Sequence, residues 1–183
     1  MRKAASVVLL VALLAGALSA APAFAAVEAP ALITSAGQSP GALMVRVLAD
    51  QAGVANTYDT LATADALAGA KSLIVVIGAS QKGLGAAGID VNQEYTRVES
   101  LLAQAKAQGI PVIAMHVEGA PRRGATSDDL SRLVMRYAQY VIVRADGNED
   151  GFFTQLAQQY GATLRLIDKT ADAAAALRDL YGN

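Results

Sequence analysis

Five consecutive apolar residues, Leu73-Ile-Val-Val-Ile77, constrain this chain more than any other stretch. The run is too short to cross a bilayer, and no polar residue interrupts it at alternate positions. A strand of this kind has both faces covered, as in a parallel sheet held between two layers of helices. Ile110 to Met115 repeats the pattern, and Ala31 to Ser35 is a shorter version of it. Each run leads into a polar turn of small residues and then into a segment with apolar residues at helical spacing.

The remaining segments follow the same rhythm. After Ala31–Ser35, the pair Ser39-Pro40 predicts a helix start, with Ser39 as N-cap and Pro40 in the first helical position. Leu43, Met44, Val47 and Leu48 recur at helical spacing, and Gly53 closes that helix. Asn56 to Asp59 is a short polar strand, and Ala62 to Ala68 a small helical or irregular piece. Gly78 to Asp90 reads as a long glycine-rich loop before a helix over Asn92–Gln108, which carries Tyr95, Val98, Leu102 and Ala105 on one side. Ser127 is placed to cap a helix over Asp128–Ala138. Tyr140–Val143 is a strand, Gly151–Tyr160 a helix, Thr163–Ile167 an alternating edge strand and Ala171–Tyr181 a terminal helix. Strands alternating with helices predict a three-layer, doubly wound α/β fold with a mostly parallel sheet. The weak, polar second strand suits an edge, which favours the flavodoxin-like strand order over the Rossmann-like one.

The first residues lie outside that domain. Arg2 and Lys3 precede an apolar run, Ala4 to Ala21, and Pro22-Ala23-Phe24-Ala25 ends it with small residues where a signal peptidase reads them. Residues 1–25 are therefore expected to be a secretory signal, with one α/β domain over 26–183 and a periplasmic or secreted destination. No second apolar span is long enough to hold the mature chain in a membrane. The chain has no cysteine, which excludes disulfides and lipidation at a signal-end cysteine. No Arg-Arg pair precedes the apolar run, so any cofactor would have to be acquired outside.

Charge excludes one class of partner. The whole chain holds 15 basic and 16 acidic residues, and removing Arg2 and Lys3 leaves 13 against 16, a net charge of −3. With no basic stripe and few aromatic residues, nucleic-acid binding is not expected.

In either strand order a ligand sits beyond the carboxyl ends of the strands. Four polar loops fall at that edge: Ser35–Ser39, Gly78–Asp90, His116–Thr126 and Arg144–Asp150. Thr34-Ser-Ala-Gly-Gln-Ser39 resembles the phosphate loop of flavodoxins, in which hydroxyls and backbone N–H groups cradle an anion at a helix start. Ala36 departs from that pattern, and none of the four loops carries an aromatic residue to stack on a flavin, so no flavin or other cofactor is expected. Gly83-Leu-Gly-Ala-Ala-Gly88 spells G-x-G-x-x-G, but five residues separate it from Ile77, and a dinucleotide fingerprint follows its strand at once. His116 is the one histidine, and Glu118, Arg122 and Arg123 follow it. Paired arginines can clamp an anion, and a histidine can move a proton near neutral pH. The expected ligand set is Ser35, Gln38, Ser39, Ser80, Lys82, His116, Arg122, Arg123 and Arg144. His116 and Glu118 are the candidate catalytic pair. No serine occupies a G-x-S-x-G elbow, and one histidine without cysteine is a poor zinc site. Asp146-Gly-Asn148-Glu-Asp150-Gly matches half of a calcium loop, but position twelve is Ala157, so at most a weak site at Asp146, Asn148 and Asp150 is expected.

Taken together, Ile33-Thr-Ser-Ala-Gly-Gln-Ser39, the 78–90 loop, His116–Gly124 with Ser127-Asp128, and Asp146-Gly-Asn-Glu-Asp-Gly-Phe-Phe153 resemble an exported bacterial family, domain of unknown function 6305. The resemblance covers essentially the whole mature chain. It implies secretion and an α/β fold, and it brings no activity or catalytic residue. Three functions stay open on the residues alone. They are a binding domain for a small anionic molecule, a hydrolase or transferase using His116 and Glu118 with the arginines, and a module docking onto another envelope protein.

Overall fold

A computed structural model describes residues 27–183, and the expected signal segment lies outside the described residues. Six strands form one sheet in the order β2-β1-β3-β4-β5-β6: β1 Ala31–Ala36, β2 Asn56–Tyr58, β3 Ser72–Ile77, β4 Val112–His116, β5 Ala138–Arg144 and β6 Thr163–Ile167. Every pairing is parallel. With β1 between β2 and β3, this is the flavodoxin-like order, and the two polar strands do stand at the edges. The helices are α1 Gly41–Gln51, α2 Gln81–Ala86, α3 Val91–Ala107, α4 Ala125–Met135, α5 Phe152–Tyr160 and α6 Ala173–Tyr181.

The continuous apolar strands divide their side chains between two cores, because successive residues point to opposite faces. Leu73, Val75 and Ile77 join Val98, Leu102, Leu133 and Phe153 under α3, α4 and α5. Ile74 and Val76 join Val45, Ala49, Leu177 and Leu180 under α1 and α6. Neither layer could form alone, since a parallel sheet left bare on one side would expose a full row of Val and Ile.

Four local expectations differ. The 78–90 segment is not all loop: Ser80 accepts from Gly83 N–H at 3.1 Å and starts the short helix α2. Ser39 does not cap α1. The Pro40 backbone is already helical (φ −60°, ψ −18°), and no side chain caps it. Helix α4 begins three residues early because Gly124, at φ +145°, breaks the chain there. Ser127 therefore lies inside the helix, and its Oγ accepts instead from Ala79 N–H at 2.9 Å. Strand β5 starts at Ala138, where an irregularity between Val112 and Ile113 is filled by Gln139 accepting from Val112 N–H at 2.7 Å.

The G-x-G-x-x-G string acquires a packing explanation. Gly83 lies against the Gln38 carbonyl, so α2 can sit on the β1–α1 turn only without a side chain there, whereas the space around Gly85 is open. Gly83→Ala should therefore destabilise by about 1–3 kcal/mol, because the obstacle is backbone. Gly85→Ala should be neutral or stabilise by about 0.5–1 kcal/mol through lost chain entropy. Urea melts of the two variants compare them directly, and equal midpoints would remove α2 from its place on the turn.

Candidate functional site

Parallel pairing brings Ser35, Gly78, His116 and Arg144 to the carboxyl edge of the sheet, as the registers Ala36↔Ile77 and His116↔Val143 show. The edge does not gather them into one pocket. The sheet separates them, and most already have partners within the protein.

The β1–α1 turn is held from α3. Glu94 is 1% exposed, and its Oε1 accepts from Gly37 N–H at 2.7 Å and from the Gln38 side-chain amide at 3.0 Å. Arg97 completes the arrangement. It donates to both Glu94 oxygens (2.9 and 3.0 Å), to Ser35 O at 2.6 Å and to Ala62 O at 2.8 Å. Ser35 Oγ accepts from Gln38 N–H at 2.9 Å. Neither Glu94 nor Arg97 is in the expected set, yet the signal was present. Glu94 stands one helical turn before Val98, on the apolar stripe of α3, where a lone carboxylate needs a cation.

His116 is fully buried on the α3–α5 side, stacked on Phe153 with ring centroids 5.2 Å apart. Its Nδ1 faces Ile77 O and its Nε2 faces Gly119 O, both at 3.1 Å. The neutral ring can donate to one of these carbonyls only. Burial lowers its pKa and outweighs the two carbonyls, which raise it. In this arrangement the ring is wedged between the end of β3 and the 116–119 turn, bonds one of the two carbonyls, and is buried away from any substrate.

The arginines are paired as well. Arg123 donates to Asp128 (2.7 and 3.1 Å), to Asp150 (3.0 and 2.9 Å) and to Gly147 O, and lies over the Phe152 ring at 4.5 Å. These bonds hold the Asp150 carboxyl down at about 2. Burial works against ionised Asp128, but the Arg123 bonds keep its pKa below the ordinary value. Arg144 holds Asp146 through both carboxylate oxygens (2.7 and 2.6 Å). Asn148 Oδ1 accepts from Phe153 and Thr154 N–H at the start of α5 (2.8 and 3.2 Å). The three expected ligands of the calcium-like string, Asp146, Asn148 and Asp150, are thus engaged within the protein. No group of three or more His, Asp or Glu side chains among the described residues is arranged to hold a metal. Lys82 is exposed on α2, and Ser80 is spent on capping that helix.

One place is incomplete. Ser39 is 5% exposed, and its Oγ has no hydrogen-bond partner; Glu118 Oε2 has none either. Both face the same point. A Cβ on Gly78 would stand 2.6 Å from Ser39 Oγ, 2.9 Å from Arg122 Cγ and 3.0 Å from Glu118 Oε2. A Cβ on Gly41, the first residue of α1, would stand 2.7 Å from the same Glu118 oxygen. Arg122 lies across the spot, donating to Glu118 Oε1 at 3.1 Å and to Ala79 O at 3.2 Å. Its side chain is 30% exposed and that of Glu118 12%. Beside this cluster runs a shallow apolar groove of Leu43, Met44, Val47, Leu48, Thr170 and Ala171. The two features adjoin, since Thr170 Oγ1 donates to Val117 O at 2.7 Å, next to Glu118. A larger cleft of about 610 Å³ opens at the opposite sheet edge, between Glu28, Lys71, Gln108 and Tyr140. The buried atoms that lack partners are not there, so the chemistry favours the carboxyl edge.

Acid should weaken the fold in two stages. His116 has a folded pKa below its unfolded value of about 6.5, so its stabilisation is present above that pH and is lost as pH falls through and below it. Asp128, Asp146 and Asp150 have folded pKa values below about 3.9, and they add a second loss below about pH 4. Urea stability measured against pH in the parent and in His116→Gln checks this. The upper stage should vanish in the variant, and a parent that gains stability between pH 7 and 5.5 would mean that the two carbonyls outweigh burial.

No curated protein matches the chain. Residues 28–181 match the sequence model of the family described as Domain of unknown function (DUF6305), so the chain belongs to that family.

Proposed function

We propose that this chain is an exported binding domain whose small ligand seats at the start of α1, presenting an anionic group to that helix end and to Arg122. The observation that carries the reading is the pair of buried atoms without partners, Ser39 Oγ and Glu118 Oε2, at one point of the carboxyl edge. An unsatisfied buried polar atom costs about 1–3 kcal/mol, a cost that a ligand's complementary groups would remove. The α1 end favours negative charge, because no side chain caps it. Arg122 is the nearest cation, and the Leu43–Val47 groove offers room for an apolar body. The enzymatic alternative has less support, since His116 is fully buried between two backbone carbonyls and one Glu118 oxygen is bound to Arg122. A second reading, docking onto an envelope protein, is favoured by the exposed Leu43, Met44 and Val47.

Thermal shift of residues 26–183 with phosphate, acetate and citrate at constant ionic strength tests the anion site. A ligand at one hundred times its Kd stabilises by about 2.7 kcal/mol. The melting temperature should rise with at least one of these anions. Arg122→Ala should lose about 1.5–3 kcal/mol of that binding, the worth of a hydrogen bond to a charged group. No response to any anion, or an equal response in the variant, rejects the site and leaves the docking reading.

Export rests on Arg2, Lys3, the apolar run and the Ala-x-Ala end. Mass spectrometry of protein recovered outside the cytoplasm should give a chain beginning at Ala26, and an intact Met1 would overturn processing.

A further inference from the structure

We infer that two copies of this chain pair through the outer face of α1, antiparallel across a two-fold axis, as a weak homodimer. The inference concerns the middle of that helix and does not depend on an anion at its start. Gly41, Ala42, Val45, Leu48 and Ala49 are the residues that α1 buries. At about 100° per residue, Leu43 and Val47 come about 160° and 200° round from the centre of that buried face, so they crown the helix on its solvent side. Polar residues normally hold this position on a surface helix. Leu43 is 51% exposed, Val47 46% and Met44, on the flank beside Thr170 and Ala171, 36%. The other large exposed apolar side chains, Leu61, Tyr160 and Leu166, stand singly on separate segments, where they need no explanation.

The charges on the other flank identify what covers these residues. Arg46 and Asp50 lie there one turn apart, Nε to Oδ2 3.6 Å, with side chains 48% and 52% exposed. Asn56 donates to Asp50 Oδ1 at 2.8 Å, which keeps the carboxylate on the β2 side. A two-fold axis lying across the helices, in the plane between them, makes them antiparallel and brings each flank against the same flank of the second copy. The basic and acidic residues of one copy then oppose the acidic and basic residues of the other. With the axis at Val47, that residue meets its own copy, and Arg46 stands about 3 Å along the helix from Asp50 of the second copy, within a side chain's reach. Parallel pairing would set these charges against the uncharged Met44 flank instead. The flank is thus its own complement, as an isologous interface requires. The exposed edge strand β6 lacks this property: paired with itself about its middle residue, it would set Arg165 against Arg165. One helix from each copy buries well under the roughly 800 Å² per partner of a stable complex, so the dimer is weak, with a dissociation constant on the order of 0.1–1 mM.

Sedimentation equilibrium of residues 26–183 over about 10 μM to 1 mM is the test. The average mass should rise with concentration toward that of two chains. Val47→Asp, Arg46→Glu and Asp50→Arg should each weaken association about tenfold or more, the charge reversals by setting like charges opposite one another. All three positions are at the surface, so urea melts should show folded variants with midpoints close to the parent's. The deciding measurement mixes Arg46→Glu with Asp50→Arg in equal amounts. One flank is then wholly acidic and the other wholly basic, so the mixture should associate about as tightly as the parent although neither variant pairs with itself. Loss of the Arg46–Asp50 pair within each chain cannot produce that rescue. A parent that stays monomeric at about 1 mM overturns the inference and leaves the α1 face to a partner of another kind. Association that survives Val47→Asp, or that mixing does not restore, overturns the pairing of α1 with itself.

Discussion

The Glu94 carboxylate anchors the carboxyl edge of the sheet. Where β1 ends, the chain must turn sharply at Gly37 and Gln38, leaving an N–H group that no strand or helix can take. Glu94 reaches across from α3 and accepts it. A buried carboxylate is costly unless paired and fully bonded, and Arg97 does both while tying in the carbonyls of Ser35 and Ala62. The turn, the start of α1, α3 and the segment after β2 are thereby locked together at the point where the strand order reverses. Removing one member of such a pair typically costs about 3–5 kcal/mol, because the other is left charged and buried.

The same solution recurs along the edge. Arg123 sits between Asp128 and Asp150, Arg144 holds Asp146, and Arg122 holds one oxygen of Glu118. Arg123 joins its loop to α4 and to the loop before α5, whereas Arg122 and Arg144 brace their own turns, so the basic residues that look from sequence like an anion clamp are largely spent on building the edge. Two aromatic rings reinforce it, with Phe153 stacked under His116 and Phe152 under Arg123. The net result is an edge dense in charge with little free charge on it.

The fold was legible because its signals are redundant. Continuous apolar runs, helical stripes and the polar β2 and β6 all point to one parallel sheet with weak edges. Helix starts were less legible, because a hydroxyl before a helix can serve something other than the helix. Ser127 bonds the Ala79 N–H just past β3, and the Ser39 hydroxyl bonds nothing. The site was legible only as a location. Sequence order places Arg122 and Arg123 side by side, but their side chains diverge, one to Glu118 and the other to Asp128 and Asp150. His116 follows an uninterrupted buried strand and is buried with it. Glu94 and Arg97 escaped notice because a charged residue on a helix ordinarily faces water, and only its place on the apolar stripe marks it as different.

Two carboxylates from this acidic chain approach the start of α1, and their difference separates a strut from a site. Glu94 has donors on both oxygens and is closed to further bonding. Glu118 has donors on one oxygen only, and its other oxygen lies so close to Gly78 and Gly41, with the unbonded Ser39 hydroxyl beside Gly78, that a Cβ on either glycine would be crowded out. If the sole purpose of Glu118 were to neutralise Arg122, an exposed carboxylate would do so at less cost, since surface pairs keep their water. Burying it half-satisfied exacts a penalty that the packing around it does not explain. The unmet bond is therefore the most informative feature of this edge, and it is what the proposed ligand would have to satisfy.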